Sequence, residues 1–229
     1  MTHRGDWTGD GLEDVVARFG TELRLYPNRG GGQVDTYQVL ATGLESGAKV
    51  IGVGDTGGDG FPDVVVQNPV SDELFRYDGL PGSAPSVKAP VRVGHGGWSV
   101  MDLTAAGDAD GDGFPDFLAR NRSTGVLYLY RGGDGVKDAN GTIPRPIGSF
   151  GARIPYGSGY TTASRPLIAG AHDANGDRVA DMWTTAVDAS GVHTLLFYAG
   201  EVDDTTGTPP DGPSTRVGAG DWSVYSALS

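Results

Sequence analysis

Four short stretches of this chain place oxygen-bearing side chains at spacings suited to holding a hard cation. They are Asp6–Asp14, Asp55–Asp63, Asp108–Asp116 and Asp173–Asp181. When each is numbered from one to nine, position one is always aspartate (Asp6, Asp55, Asp108, Asp173). Position three holds Thr8, Gly57, Asp110 or Asn175, and position five is again aspartate (Asp10, Asp59, Asp112, Asp177). Position seven is Leu12, Phe61, Phe114 or Val179, and position nine closes on Asp14, Asp63, Asp116 or Asp181. In a tight loop the odd positions turn toward one centre. Side chains at one, three, five and nine, with the backbone carbonyl at seven, then offer the oxygen-rich shell of calcium, which takes six to eight ligands at about 2.3–2.6 Å. Glycine at position six (Gly11, Gly60, Gly113) permits the positive φ of such a turn. Arg178 stands there in the fourth stretch.

A single match of this kind reads equally well as a solvated turn in which aspartates accept backbone amides. Four matches at equivalent places favour metal, with about four calcium ions for the chain. The four stretches contain 13 aspartates, and facing carboxylates repel one another without a cation. Four divalent ions would bring the net charge from −12 to about −4. The loops are unequal in ligand charge. The third, with four carboxylates, is expected to bind tightest. The second is expected to bind weakest, because Gly57 supplies no side chain and water must fill its place. Magnesium fits less well, and His3, His95, His172 and His193 show no zinc spacing. His172, directly before the fourth loop, reads as a packing residue.

The elements around the loops repeat as well. The loops start 49, 53 and 65 residues apart, the size of one four-stranded propeller blade. After each comes a short apolar strand beginning at Asp14, Asp63, Asp116 or Asp181. A second strand ends in tyrosine: Glu22–Tyr26, Glu73–Tyr77, Val126–Tyr130 and Thr194–Tyr198. A more polar third segment follows, around 35–40, 87–93, 145–150 and 214–217. A last strand then leads into the next loop, at 50–54, 100–107 and 167–171. Near-continuous apolar strands fit a sheet covered on both faces. The expected fold is therefore all-β: a β-propeller of four blades, each of four antiparallel strands, with almost no helix, in a single domain over residues 1–229. The tail from Trp222 to Leu228 matches the segment beginning at Trp98, so a C-terminal strand is expected to complete the N-terminal blade. The ring could close within one chain, as a monomer, or between two chains as a C2 dimer of eight blades. It could also belong to a longer propeller.

Composition narrows the function. Glycine makes up 39 of 229 residues, against roughly 7% in ordinary proteins, which suits many turns. An acidic chain repels nucleic acid and anionic membranes, so neither is expected as a partner. The absence of cysteine excludes disulfides and cysteine-based zinc sites. No apolar run is long enough to insert in a membrane, and the N-terminus has no signal-peptide h-region. There is no Gly-x-Ser-x-Gly or His-Glu-x-x-His motif. The acids outside the loops (Glu22, Glu45, Asp72, Asp102, Asp188, Asp221) form no recognisable catalytic pair, so no enzyme activity is expected.

The pattern Gly-Asp-x-x-Gly-Asp-Gly-x-x-Asp before a hydrophobic strand resembles the FG-GAP/VCBS repeats, also found in integrin α-chain heads. The segments Val93–Val100 and Val217–Val224 look like versions common in secreted actinobacterial proteins. The resemblance covers essentially the whole chain. It implies a secreted, extracellular, usually non-catalytic propeller that acts as a carbohydrate-binding (lectin-like) or adhesive module. The bland competitor is a structural or oligomerisation unit that accompanies a hydrolase domain or another protein partner. The Gly-Ala-Pro element of integrins is missing, replaced by Ala17-Arg18-Phe19, Val66-Gln67-Asn68 or Ala119-Arg120-Asn121. Trp98, Tyr160 and Trp222, in equivalent glycine-rich turns, are candidate glycan contacts, with blade packing as the alternative reading. Arg4-Gly5-Asp6 spells an adhesion tripeptide, but Asp6 is also the first residue of a cation loop, so it reads as coincidence.

Overall fold

A computed structural model of the chain describes residues 5–80, 84–109, 113–132, 153–200, 214–217 and 220–226. Its strands are β1 (Val15–Phe19), β2 (Glu22–Tyr26), β3 (Asn28–Gly30), β4 (Gln33–Val34), β5 (Gln38–Ala41), β6 (Lys49–Gly54), β7 (Asp63–Asn68), β8 (Glu73–Tyr77), β9 (Gly79–Leu80), β10 (Ser86–Val87) and β11 (Val91–Gly94). They continue with β12 (Met101–Gly107), β13 (Asp116–Asn121), β14 (Leu127–Tyr130), β15 (Ile154–Gly157), β16 (Ile168–His172), β17 (Asp181–Val187), β18 (His193–Tyr198) and β19 (Thr215–Val217). No helix occurs among the described residues.

The strands form four antiparallel blades, as the repeat predicts. Their orders are β1-β2-β5, β6-β7-β8-β11, β12-β13-β14-β15 and β16-β17-β18-β19. Two short ribbons, β3-β4 and β9-β10, lie outside the blades. The chain divides into two compact units. The described residues through Ser99 hold blades one and two, and those from Val100 onward hold blades three and four.

Alternation places the core. In blade one, Val16, Leu23 and Leu25 are buried, and they share a cluster with Val64, Val66 and Tyr77 of blade two. In blade four, Met182 pairs with Tyr198, and both join the cluster built on Leu118, Leu127 and Leu129 of blade three. Period-two side chains fill the space between sheets while the backbone ladder satisfies itself. The strand leading into a loop breaks register at its end, between Gly52 and Gly54, Ala105 and Gly107, and Gly170 and His172. The last residue of each bulge has positive φ: 82° at Gly54, 88° at Gly107 and 50° at His172. The bulge re-aims the chain into the loop.

Two expectations are corrected. Blade one has three strands among the described residues. The expected tail strand is absent from 220–226, where Trp222 donates its N–H to the His193 carbonyl (3.0 Å) and Tyr225 donates to that of Trp222 (3.3 Å). The segment 220–226 therefore turns beside blade four with no strand, and 227–229 lie outside the described residues. In blade three the outer strand is β15, whereas the expected segment 145–150 lies outside the described residues.

Neighbouring inner strands approach closely at Gly170. Its N–H donates to Thr104 Oγ1 at 2.8 Å. A Cβ there would stand 1.8 Å from the Ala105 carbonyl oxygen. Gly170→Ala is expected to destabilise the chain by about 1–3 kcal/mol, the usual cost of overpacking, read as a lower urea midpoint.

Candidate metal centre

The second, third and fourth loops join the first and second strands of their blades and end on the aspartate that opens the second strand, while the first loop leads into β1, directly after Asp14. The shape of each loop is set by two left-handed residues. Position four is Gly9, Gly58 or Gly176 with φ of 75°, 66° and 86°, and position six is Gly11, Gly60 or Gly113 with φ of 88°, 87° and 92°. Arg178 takes the same conformation at φ 72° without being glycine, a strained backbone for an L-residue.

One hydrogen-bond scheme recurs in all four loops. The position-one aspartate accepts the position-six N–H through Oδ2: Asp6 from Gly11 (2.7 Å), Asp55 from Gly60 (2.7 Å), Asp108 from Gly113 (2.9 Å) and Asp173 from Arg178 (2.9 Å). At position five, Asp10, Asp59 and Asp177 accept the N–H of Leu12 (2.9 Å), Phe61 (3.1 Å) and Val179 (2.8 Å). Phe114 holds position seven in the third loop, whereas Asp110 and Asp112 lie outside the described residues.

Position nine does something the spacing did not reveal. Asp14, Asp63, Asp116 and Asp181 are 0–2% exposed. Each Oδ2 accepts the N–H of position two, from Trp7 (2.9 Å), Thr56 (2.9 Å), Ala109 (2.8 Å) and Ala174 (2.7 Å). Each Oδ1 accepts an amide just past the next strand, from Asn28 (2.8 Å), Gly79 (3.0 Å), Gly132 (2.6 Å) and Gly200 (2.9 Å). The residue braces the loop to the blade, and it can serve a cation only through the lone pairs that remain.

Among the described residues, no three acidic or histidine side chains converge as a ready-made cluster. The loops nonetheless fit a cation in other respects. Asp108 Oδ1 is buried and has no hydrogen-bond partner among the described residues. Position three faces position one: Thr8 Oγ1 lies 3.4 Å from Asp6 Oδ1, and a Cβ on Gly57 would lie 3.9 Å from Asp55 Oδ1. Asn175 instead engages Asp177, donating to its Oδ2 at 2.8 Å. Lys88, distant in sequence, reaches Asp59 Oδ2 at 3.1 Å and occupies that oxygen with its own charge.

Two of the three aromatic candidates are buried. Trp98 and Tyr160 are 7% and 4% exposed, so their rings are packing. Each fills the space left by a glycine. A Cβ on Gly94 would stand 2.2 Å from Trp98 Nε1, and one on Gly157 would stand 2.7 Å from Tyr160 Cε2. Trp222 is half-buried beside Tyr225, with ring centroids 4.9 Å apart. The acids outside the loops hold structure. Asp72 accepts Gly97 N–H (2.6 Å), Glu45 accepts Val70 N–H (2.7 Å), and Asp221 accepts Ser223 N–H (3.0 Å). Glu22 pairs with Arg24 (2.6 Å), Asp102 pairs with Arg120 and Arg122, and Asp188 caps its own turn through Ser190 N–H (2.8 Å). His172 leans on Gly107, where a Cβ would meet its Nδ1 at 2.8 Å. Asp6, the acid of the adhesion tripeptide, also accepts Gly9 and Asp10 amides, and Arg4 lies outside the described residues.

Two outcomes follow from this geometry. Arg178→Gly relieves the left-handed strain at a small cost in unfolded-chain entropy, so a gain of up to about 1 kcal/mol is expected in thermal unfolding. Burial pushes the Asp63 carboxyl up to about 6, against the Thr56 and Gly79 hydrogen bonds that pull it down. Between the ordinary carboxylate pKa and that value, the folded state holds a proton the unfolded chain has released. The stability this site contributes in acid is therefore lost as pH rises toward 6 and beyond. In EDTA, carboxyl NMR should titrate Asp63 near 6, and Asp63→Asn should flatten that part of the pH–stability curve.

The comparisons agree with the fold. The FG-GAP-like repeat family matches residues 6–66 and 55–119. Integrin alpha-5 of Xenopus laevis is 29% identical in a 144-position alignment that covers 56% of this chain and 13% of that protein. The chain thus spans a small part of that relative. A solved lectin of Agrocybe aegerita, described for its recognition of non-reducing terminal N-acetylglucosamine, superimposes with a TM-score of 0.57 at 16% identity. That match covers 92% of this chain and 50% of the lectin chain. With four blades, and a loop pattern that runs on past the matched residues, the chain belongs to the FG-GAP-repeat β-propellers.

Proposed function

We propose that this chain is an extracellular, non-catalytic binding module whose loops are held in shape by calcium and whose ligands are glycans. The observation that carries the calcium reading is the fourfold recurrence of one loop geometry, in which the position-one aspartate accepts the position-six amide. Asp6, Thr8, Asp10 and Asp14 would hold the ion in the first loop, and their counterparts would do so in the others. Calcium there would neutralise facing carboxylates, with no catalytic step. The Lys88–Asp59 contact and the missing side chain at Gly57 both favour the second loop as the weakest site. The lectin likeness supports glycans as the ligand class, and the integrin likeness supports an extracellular setting and keeps a protein partner as the second reading.

The test combines two measurements on one sample. Calcium at ~100 times Kd adds about 2.7 kcal/mol per site, so the melting temperature should rise with calcium and fall in EDTA. A glycan array probed with the calcium-loaded chain should show a defined sugar, with the signal lost in EDTA. A melting temperature indifferent to EDTA would remove the calcium reading. A clear calcium shift with a blank array would keep the metal and move the ligand to protein.

A further inference from the structure

The first two loops carry the same carboxylates, Asp6, Asp10 and Asp14 in one and Asp55, Asp59 and Asp63 in the other. They differ at position three, where Thr8 has an oxygen and Gly57 has no side chain. They differ again in what the nearby ribbon brings. Each loop has a ribbon tied to it by the position-nine brace: β3-β4 through Asp14 and Asn28, and β9-β10 through Asp63 and Gly79.

The two ribbons correspond residue for residue. Just before the braced amide, a backbone carbonyl accepts the N–H of the residue that leaves the ribbon. Asp35 donates to Pro27 at 2.7 Å, and Lys88 donates to Asp78 at 2.8 Å. Asp35 and Lys88 therefore hold the same place with opposite charge. Asp35 turns back to its own ribbon and accepts Arg29 Nε–H at 3.0 Å, and Arg29 feels Asp10 only through space. Lys88 reaches into the second loop instead, where its Nζ donates to Asp59 Oδ2 at 3.1 Å within the fields of Asp78 and Asp63. An exposed ion pair is usually weak, because two long side chains must be ordered to make it. Here the Lys88 backbone is already fixed by the Asp78 carbonyl and by the pairs Ser86–Leu80 and Val87–Gly79. Of these two loops, the one that lacks a position-three ligand is the one supplied with a cation.

We propose, resting on the calcium reading above, that Lys88 is a tethered cation that stands in for calcium in the second loop. Its ammonium offsets the carboxylates of that loop when no metal is present. The ammonium only donates hydrogen bonds, and it repels a divalent ion that would take the same oxygen. Calcium therefore enters the second loop by displacing Lys88, and this loop keeps its turn at calcium levels that leave it without an ion.

Calorimetric titration with calcium chloride compares the wild-type chain with Lys88→Met and, separately, Lys88→Gln. The Lys88 side chain is 44% exposed, so both variants should fold. Each should tighten the last-filled site about tenfold, the order of repulsion that one charge exerts on a divalent ion a few ångströms away after screening. Adding Asp59→Asn to Lys88→Met should abolish the gain, which assigns it to the second loop. In EDTA, Lys88→Met should melt below the wild type, and saturating calcium should close the gap. No gain in affinity, or a gain that survives Asp59→Asn, overturns the proposal and leaves the calcium reading standing. An absent melting gap in EDTA, or one that calcium does not close, overturns it equally. Calcium bound by none of these proteins overturns it together with the calcium reading, so the two failures are told apart.

Discussion

Everything in this protein hangs on a buried carboxylate at the point where each loop passes into a strand. Asp14, Asp63, Asp116 and Asp181 sit at the point where a glycine-rich loop must hand over to a sheet. One oxygen gathers the start of the loop and the other reaches an amide beyond the next strand. A charged acceptor bonded to backbone amides is worth about 1.5–3 kcal/mol per bond, and losing it would strand buried donors. The brace ties three segments together: loop entry, strand start and the exit of the neighbouring strand. With it in place, the two left-handed residues of each loop have only one way to turn.

Packing follows from the brace. Once the position-nine residue points inward to the backbone, strict alternation decides which side chains of that strand go to which face. Val64 and Met182 go one way, and Val65 and Trp183 go the other. Two blades in each unit then meet on those faces. Glycines let the pieces approach: Gly170 against Ala105, Gly94 beneath Trp98, Gly157 beneath Tyr160. The aromatic residues that mark the turns are thus spent on filling space that glycine vacates. A ligand surface must be sought on side chains that remain exposed.

On the proposed calcium reading the same acids would serve structure and cation chemistry together. Position-one and position-five carboxylates keep the loop in shape through amides, and their remaining lone pairs would serve the metal. The loop would then fold ahead of an ion, and the ion would add stability by mass action. The loops also differ. Asp108 has a buried oxygen with no partner among the described residues, whereas Asp59 has already met Lys88.

Much was legible in the residues themselves. The repeat of Asp, Gly and Asp at fixed offsets specified the loops, because local backbone geometry depends on neighbouring residue types. The apolar runs ending in tyrosine specified strands and blades for the same reason. What tertiary structure decided were matters of distance across the chain. Position nine reads as a ligand from spacing alone, but the amides on its Oδ1 lie 14 to 19 residues away and become neighbours only in the folded blade. Trp98 and Tyr160 read equally well as contacts or core, and only the space above Gly94 and Gly157 settles them as core. The tail from Trp222 repeats the Trp98 segment, and at 222–224 it repeats that segment's turn, with its first residue bonded to His193 of a distant strand. Local chemistry was readable in one dimension, while edges, cavities and long-range hydrogen bonds required three.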